Sequence, residues 1–225
     1  MAFCPESAIV TNRRPGWLAS RELVVPLPDV MSIRRLVQYR RSIRQFQKRP
    51  VPTDIIEEIM GIVRYAPTAM NLQEISWHVI SSAQTRSAIV HQTVEWMRSL
   101  ADDTGPVGSS TGALYTPFIS RYDQGEDIIT HQAPHLLIST SPEGRTPAYQ
   151  DAVIATAYLD LIAPVYQLGT CWSGIMKRAA DHSPDVLALL GLKEGYIPHT
   201  VMMIGYPRIL PERIPDRKAA SITWG

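Results

Sequence analysis

Apolar residues recur at helical spacing in several stretches of the chain, and this pattern predicts most of its helices. Asp29 is a capping residue, and Ile33, Leu36 and Val37 follow it at the i, i+3, i+4 spacing of one helix face. Similar spacing predicts helices capped by Thr53 and by Ser183, and another over residues 85–100. The helix that starts at Thr53 is expected to end before Pro67.

One further helix, over residues 148–167, is apolar on nearly every face. A helix of that kind is buried on nearly every face. In a chain of this size, it is expected to lie in the core or between subunits.

Shorter apolar runs predict the strands. They cover residues 77–80, 136–138 and 199–204, with a short strand also suggested at 221–224. Residues 101–112 have no apolar periodicity and predict a flexible loop of the kind that often lies over a site. Because helices and strands alternate irregularly, the fold class is predicted to be α+β rather than a doubly wound sheet.

Composition narrows the function classes. The 225 residues are 45% hydrophobic with a net charge of +1, so a sizeable core is expected and nucleic acid is not an expected partner. No apolar run is long enough for a membrane helix, and the N-terminus does not resemble a signal peptide. With only two distant cysteines, Cys4 and Cys171, the expected location is the reducing cytoplasm.

Two polar segments carry the strongest candidate chemistry. The first holds Arg40, Arg41, Ser42 and Arg44, and guanidinium forks with a hydroxyl suit a phosphate, although a solvated basic surface is the plain alternative. The second is a loop whose side chains can hydrogen-bond a flat heterocycle or its sugar: Pro67, Thr68, Asn71 and Gln73. Together they suggest a nucleotide-like cofactor with two distinct ends.

A third segment, residues 169–174, directly follows the apolar helix. Gly169 fits a helix C′ position, and glycines at both ends of a tight loop would let backbone N–H groups approach a ligand. The loop also contains Cys171, Trp172, Ser173 and Gly174. A nucleophilic Cys171 would need a nearby base, so a buried small residue is the favoured interpretation.

Two further features are weaker. His131 and His135 have the spacing of metal ligands on a helix, but Pro134 breaks that helix, so no metal site is predicted. Residues 211–218 are basic and stiffened by proline, and Arg217 among them is either part of a solvated tail or the other half of a phosphate clamp.

In order and spacing, these segments resemble the FMN-dependent nitroreductase family. The resemblance rests on Arg40-Arg-Ser-Ile-Arg44, Ala66-Pro-Thr-x-x-Asn71-x-Gln73, Gly169-Thr-Cys-Trp-x-Gly174 and Gly205-Tyr-Pro207. The C-terminal segment resembles the branch in which a ferredoxin domain precedes the nitroreductase domain. Residues 1–28 then resemble an arm left from the end of a ferredoxin domain, and Cys4 alone cannot hold an iron–sulfur cluster.

The resemblance implies a nitroreductase-like fold, with a mainly antiparallel sheet flanked by helices and an intertwined homodimer. Residues 29–225 would form this domain, and residues 208–225 an arm exchanged between subunits. It implies FMN at the interface, with Arg40, Arg41, Ser42, Arg44 and Arg217 near the phosphate and ribityl end. A second set would approach the flavin from the other subunit: Pro67, Thr68, Asn71 and Gln73. A third would meet the flavin ring: Cys171, Trp172, Ser173 and Gly174. In this third set, Ser173 and Gly174 would present their backbone N–H groups to the ring.

The implied activity passes hydride from NAD(P)H through flavin N5 to a nitroaromatic, quinone or similar small acceptor, by a ping-pong mechanism. Alternatives are reduction by a ferredoxin, another substrate (an enone, a halogenated aromatic or a flavin), or a flavin carrier without turnover. Two residues depart from the family pattern: Glu74, where proline is usual, and Ser173, where some members carry glutamate.

Overall fold

The structure is a computed structural model that describes residues 26–101, 108–145 and 147–225. The expected ferredoxin-like arm lies almost wholly outside these residues. The chain divides into two compact units, 1–34 and 35–225. The second unit contains all the predicted site residues.

Helices and strands alternate irregularly along the chain, as the sequence predicts. The helices are α1 (Val30–Tyr39), α2 (Thr53–Val63), α3 (Ala83–Ala101), α4 (Gly108–Asp123), α5 (Ala148–Ile162), α6 (Gly174–His182) and α7 (Pro184–Leu189). Short 3-10 helices cover Ala69–Asn71 and Ala163–Tyr166. The strands are β1 (Ser76–Ile80), β2 (His135–Pro142), β3 (Gly169–Trp172) and β4 (Tyr196–Gly205).

The four strands form one antiparallel sheet in the order β1-β2-β4-β3. Alternate residues of the central strands point to opposite sides of the sheet, so both faces carry apolar side chains. Helices cover both faces. Leu136, Ile138 and Met203 pack with α3, α4, α6 and α7. Leu137 and Met202 pack with α2 and α5 on the other face. The predicted α+β class with an antiparallel sheet is therefore confirmed.

Several local predictions were wrong. Thr53 does not cap α2: it is the first helical residue, and Pro52 holds the cap position without a side-chain hydrogen bond. Part of the predicted loop over 101–112 is helical, because α4 already begins at Gly108. The helix predicted over 148–167 ends at Ile162, where Pro164 favours a tighter 3-10 turn.

The structure also differs from the prediction in two further segments, around Gly169 and at residues 221–224. Gln167, not Gly169, takes the left-handed conformation after the helix, and Gly169 begins a strand. Residues 221–224 form no strand within the single chain described. By contrast, the Ser183 cap is confirmed, since its hydroxyl accepts the Val186 N–H at 3.4 Å. None of the described helices is both long and apolar enough to cross a bilayer.

We expect the fold to lose stability in mild acid through His135 at the start of β2. Its ring is buried, Nε2 accepts the Val51 N–H at 2.8 Å, and Nδ1 lies 2.7 Å from Ser81 Oγ. Burial lowers the pKa of His135, and the charge of Arg86 lowers it further. Because the unfolded chain then binds more protons, stability present above about pH 6.5 is lost as the pH falls through the folded-state pKa.

Urea unfolding at pH 7.5 and 5.5 checks this expectation. The free energy of unfolding should fall less between the two pH values in His135→Gln than in the wild type. The exposed His91→Gln variant controls for removing a histidine at the surface. An equal fall in His135→Gln and wild type would contradict the assignment to His135.

Candidate flavin site

The arginine-rich segment runs in extended form along the edge of the sheet. Ser42 forms a parallel bridge with Thr170 of β3, and the Ile43 N–H donates to the Thr170 carbonyl at 2.8 Å. Further on, Phe46 pairs with Pro207 beyond the end of β4. The first and third sequence motifs, about 130 residues apart, are thus brought together as neighbouring extended segments.

Two glycines make this close approach possible. A Cβ atom on Gly169 would lie 2.5 Å from Cγ1 of Ile43, and one on Gly205 would lie 2.5 Å from Cδ of Pro134 and 3.0 Å from the Phe46 ring. Such separations are shorter than carbon atoms tolerate. Gly169 is therefore required for packing against Ile43, and Gly205 for packing against Pro134 and Phe46, not for a helix cap or a turn.

Three of the candidate residues influence the thiol of Cys171. The thiol is buried, and burial has the largest effect on its pKa, raising it. The pKa is lowered by the positive charges of Arg44 and Arg40 and by a hydrogen bond with Ser42. A buried thiol with a raised pKa is a poor nucleophile. The interpretation of Cys171 as a buried small residue is therefore confirmed.

Arg44 and Ser42 are exposed on one side of the extended segment. Within the described residues, Arg44 forms no ion pair with a carboxylate. The pKa of His131 is lowered mainly by burial, and the positive charge of Arg44 lowers it further. An exposed guanidinium beside an exposed hydroxyl can bind an anion.

Arg41 points elsewhere. Its guanidinium donates to the carbonyls of Gln38, Arg40 and Arg213. Together with Ile43 it lines a cavity of about 360 Å³. Because side chains alternate along an extended segment, this cavity lies on the side away from Ser42 and Arg44.

Arg40 is held by a buried carboxylate that the sequence motifs did not indicate. Its Nη1 lies 3.4 Å from Oδ2 of Asp160, which also accepts the Trp172 indole N–H at 3.2 Å. The other carboxylate oxygen accepts the Thr170 hydroxyl at 2.5 Å. The available signal was a carboxylate within an otherwise apolar helix, since such a residue is buried only when it has partners.

The second motif forms a strained, exposed loop. Met70, Asn71 and Gln73 all have positive φ angles, near 51°, 54° and 54°. The Gln73 N–H donates to Thr68 Oγ1 at 3.1 Å, and the Gln73 amide donates to Asn71 at 2.9 Å. Left-handed backbone at non-glycine residues costs free energy and is concentrated at functional sites.

This loop, which includes Pro67, is fixed to the start of α5. The Ala69 N–H donates to the buried Asp151 carboxylate at 3.0 Å. Asp151 and Asp160 are nine residues apart, hence about 13.5 Å along the helix axis and on opposite sides of it. One helix therefore anchors both polar motifs, each through a buried carboxylate.

Of the predicted backbone donors in the third motif, only one is available. The Ser173 N–H continues the sheet by donating to the Val201 carbonyl at 2.8 Å. Gly174 begins α6, Ser173 does not cap that helix with its side chain, and in the described residues the Gly174 N–H has no acceptor. No atom lies within 4 Å of the position of a Cβ on Gly174, so there is open space beside its Cα.

The remaining candidates lie apart. Arg217 is exposed in the C-terminal arm, and no contact in the described structure joins it to Arg40 or Ser42. Glu74, at the position where the family resemblance implies proline, forms an ion pair with Arg145 at 2.9 Å. The positive charge of Arg145 offsets the negative charge of the Glu74 carboxylate. Among the described residues, no group of histidine, cysteine or acidic side chains could hold a metal ion.

Sequence comparison finds similar proteins that are named as nitroreductases. The chain is 25% identical over 181 residues to a Methanothermobacter thermautotrophicus protein named, by inference, NADH dehydrogenase/NAD(P)H nitroreductase; the match covers 79% of this chain and 78% of that protein. It is 26% identical over 98 residues to a chloronitrobenzene nitroreductase of Comamonas testosteroni, covering 43% of each.

Solved structures show the same fold at low identity. The FMN-dependent nitroreductase NfnB of Mycobacterium smegmatis, solved with NADPH, aligns with a TM-score of 0.64 at 20% identity over 87% of this chain and all of that one. A Desulfitobacterium hafniense nitroreductase with bound FMN gives 0.66 at 18% identity over 88% and 100%. Residues 37–206 match the model of the nitroreductase family, and the chain belongs to that family.

Proposed function

We propose that this protein is an FMN-dependent oxidoreductase that takes electrons from NAD(P)H. The observation that carries the proposal is the cluster at the edge of β3. An exposed cation (Arg44), an exposed hydroxyl (Ser42) and a helix N-terminus with an available N–H (Gly174) lie on neighbouring segments. This donor set fits a ligand with an anionic end and a polar ring, because helix N-termini and guanidinium groups both favour negative charge.

Each residue has a defined role in this proposal. Arg44, Ser42 and Arg40 bind the phosphate and ribityl end, and Gly174 donates its N–H to the ring. FMN, when bound, supplies the hydride chemistry. Trp172, with 38% of its surface exposed, shields the site from water on one side. The positive end of the α6 dipole stabilises negative charge that develops on the ring.

The proposal includes a homodimer. On α5, the side turned away from the core is apolar and partly exposed, formed by Val153, Ile154, Ala157, Tyr158 and Leu161. The loop with Pro67, Thr68, Asn71 and Gln73 is also exposed and has only local side-chain partners. Burying both surfaces against a second copy would remove apolar area from water and bring the loop to the partner's flavin.

Nitroaromatics and quinones are the proposed acceptors, in a ping-pong cycle in which the oxidised nicotinamide leaves before the acceptor binds. Purified protein loaded with FMN should be yellow, and anaerobic NAD(P)H should bleach the flavin absorbance. Single-turnover mixing of the reduced protein with nitroaromatic, quinone, enone and halogenated aromatic acceptors would rank them by rate. Protein that takes up no FMN would refute the proposal, and bleaching by reduced ferredoxin but not by NAD(P)H would refute the nicotinamide donor.

We expect Arg44→Ala to weaken FMN binding by about 10–100-fold. A hydrogen bond to a charged group contributes roughly 1.5–3 kcal/mol, which corresponds to that range of affinity. FMN titration of the apoprotein, followed by quenching of flavin fluorescence, measures the change. Arg98→Ala is the matched control: it also removes one cation, but from a surface ion pair with Glu95 and Asp123. Equal FMN affinity in Arg44→Ala and wild type would show that this site is misplaced.

A further inference from the structure

Asp160 binds two separate segments of the proposed site through three hydrogen-bond donors. Its Oδ1 accepts from the Thr170 hydroxyl, and its Oδ2 accepts from both the Trp172 indole and the Arg40 guanidinium. Asp160 is only 7% exposed, so these donors replace most of the water that an ionised carboxylate requires. Two of the donors belong to β3 and the third to the arginine-rich segment.

From this arrangement we propose that Asp160 is a positioning residue for the flavin phosphate, acting through Arg40. This inference rests on the proposed FMN site. The Thr170 and Trp172 hydrogen bonds fix the carboxylate relative to β3. The carboxylate then fixes one nitrogen of Arg40 and leaves the other guanidinium donors for the ligand, since arginine has five N–H groups in a planar fork.

The physical benefit is preorganisation. A free arginine side chain has many rotamers, and ordering it when the ligand binds reduces affinity. Here, Asp160 restricts Arg40 before FMN arrives, on the segment whose Ser42 bridges to Thr170. The carboxylate also repels a phosphate, so the proposal requires that orientation of Arg40 outweighs this repulsion.

A double-mutant cycle on FMN affinity distinguishes positioning from a general structural role. We expect Arg40→Ala to weaken FMN binding by about 10-fold or more, as for a charge-assisted phosphate contact. Asp160→Asn, which keeps the side-chain shape, should weaken binding several-fold in the wild-type background. In the Arg40→Ala background it should have no further effect beyond about 2-fold, the usual limit of additivity.

Asp151→Asn is the matched control. It alters the other buried carboxylate of α5, which contacts Ala69 and not Arg40. Its effect on FMN affinity should be the same with and without Arg40, because sites this far apart combine additively. Trp172→Phe removes a different donor to Asp160 and keeps Arg40, so the coupling between Arg40 and Asp160 should persist in that background.

Two results would overturn the inference. Asp160→Asn that binds FMN as tightly as wild type, or more tightly, would show that orientation does not outweigh repulsion. Equal weakening by Asp160→Asn with and without Arg40 would show that Asp160 acts on the fold alone; urea unfolding of each variant at one pH would identify that case. Should wild-type protein bind no FMN, the proposed function itself fails, which is a distinct outcome.

Discussion

Gly169→Ala is expected to impair both the fold and the flavin site. The added Cβ would lie 2.5 Å from Cγ1 and 2.8 Å from Cβ of Ile43, so the backbone of one segment must move. Overpacking of this kind typically costs about 1–3 kcal/mol of folding free energy. Since Ile43 lies between Ser42 and Arg44, displacement of the segment also misplaces both proposed phosphate ligands, and we expect FMN affinity to fall at least about 10-fold, as for loss of one charged hydrogen bond.

Urea unfolding and FMN titration of the same variant measure the two effects. Gly61→Ala is the control: Gly61 lies in α2 with no atom within 4 Å of the added Cβ, so alanine should be neutral or stabilising there. Ile43→Ala combined with Gly169→Ala should recover part of the FMN affinity, because the nearest clashing atom, Cγ1 at 2.5 Å, is removed while Cβ at 2.8 Å remains. Full stability and FMN affinity in Gly169→Ala alone would show that the two segments are not packed as described.

Removing residues 212–225 is expected to abolish both the dimer and FMN retention. The arm has no regular structure in the single chain, and it exposes large apolar side chains: Ile214 at 60%, Ile222 at 63% and Trp224 at 87%. Several large exposed apolar side chains on one short arm offer a surface that a partner could cover. We propose that the arm packs on the second subunit and carries Arg217 to a flavin phosphate.

This truncation keeps Arg208, whose N–H donates to the Gln45 carbonyl at 2.8 Å, so the edge of the sheet remains intact. Size-exclusion chromatography and flavin absorbance are the measurements. Arg217→Ala should lose FMN affinity and stay dimeric, whereas Ile222→Ser with Trp224→Ser should weaken the dimer. A truncated protein that remains dimeric and yellow would contradict the exchanged arm.

Helices and strands with a clear apolar period were predictable from sequence, whereas their ends were less so. The strand at 77–80 was predicted from a short apolar run, and the Ser183 cap from side-chain chemistry. Helix α4 was not predicted at all; its first residues, Gly108, Ser109 and Ser110, are weak helix formers, and local preference gave no sign of a helix. Gly169 was misinterpreted because only the fold reveals that Ile43 lies against it.

The site shows the same limit. The family resemblance, confirmed by the match over residues 37–206, named Ser42, Arg44 and Gly174, which the structure brings to one edge of the sheet. It gave no sign of Asp160, because neither carboxylate of the largely apolar α5 belongs to a family motif. Likewise, the sequence does not indicate that the neighbours Arg41 and Ser42 face opposite sides, since that depends on the extended backbone.

The two buried carboxylates of α5 fix the length and the rotation of this helix between the two segments that they hold. Inserting one residue between Asp151 and Asp160 would lengthen the helix by about 1.5 Å and rotate one carboxylate by about 100° relative to the other. Either Ala69 or the donors Thr170 and Trp172 would then lose their acceptor. Length changes accumulate readily in surface loops during evolution, but this stretch of α5 should resist insertion and deletion even where its side chains tolerate substitution.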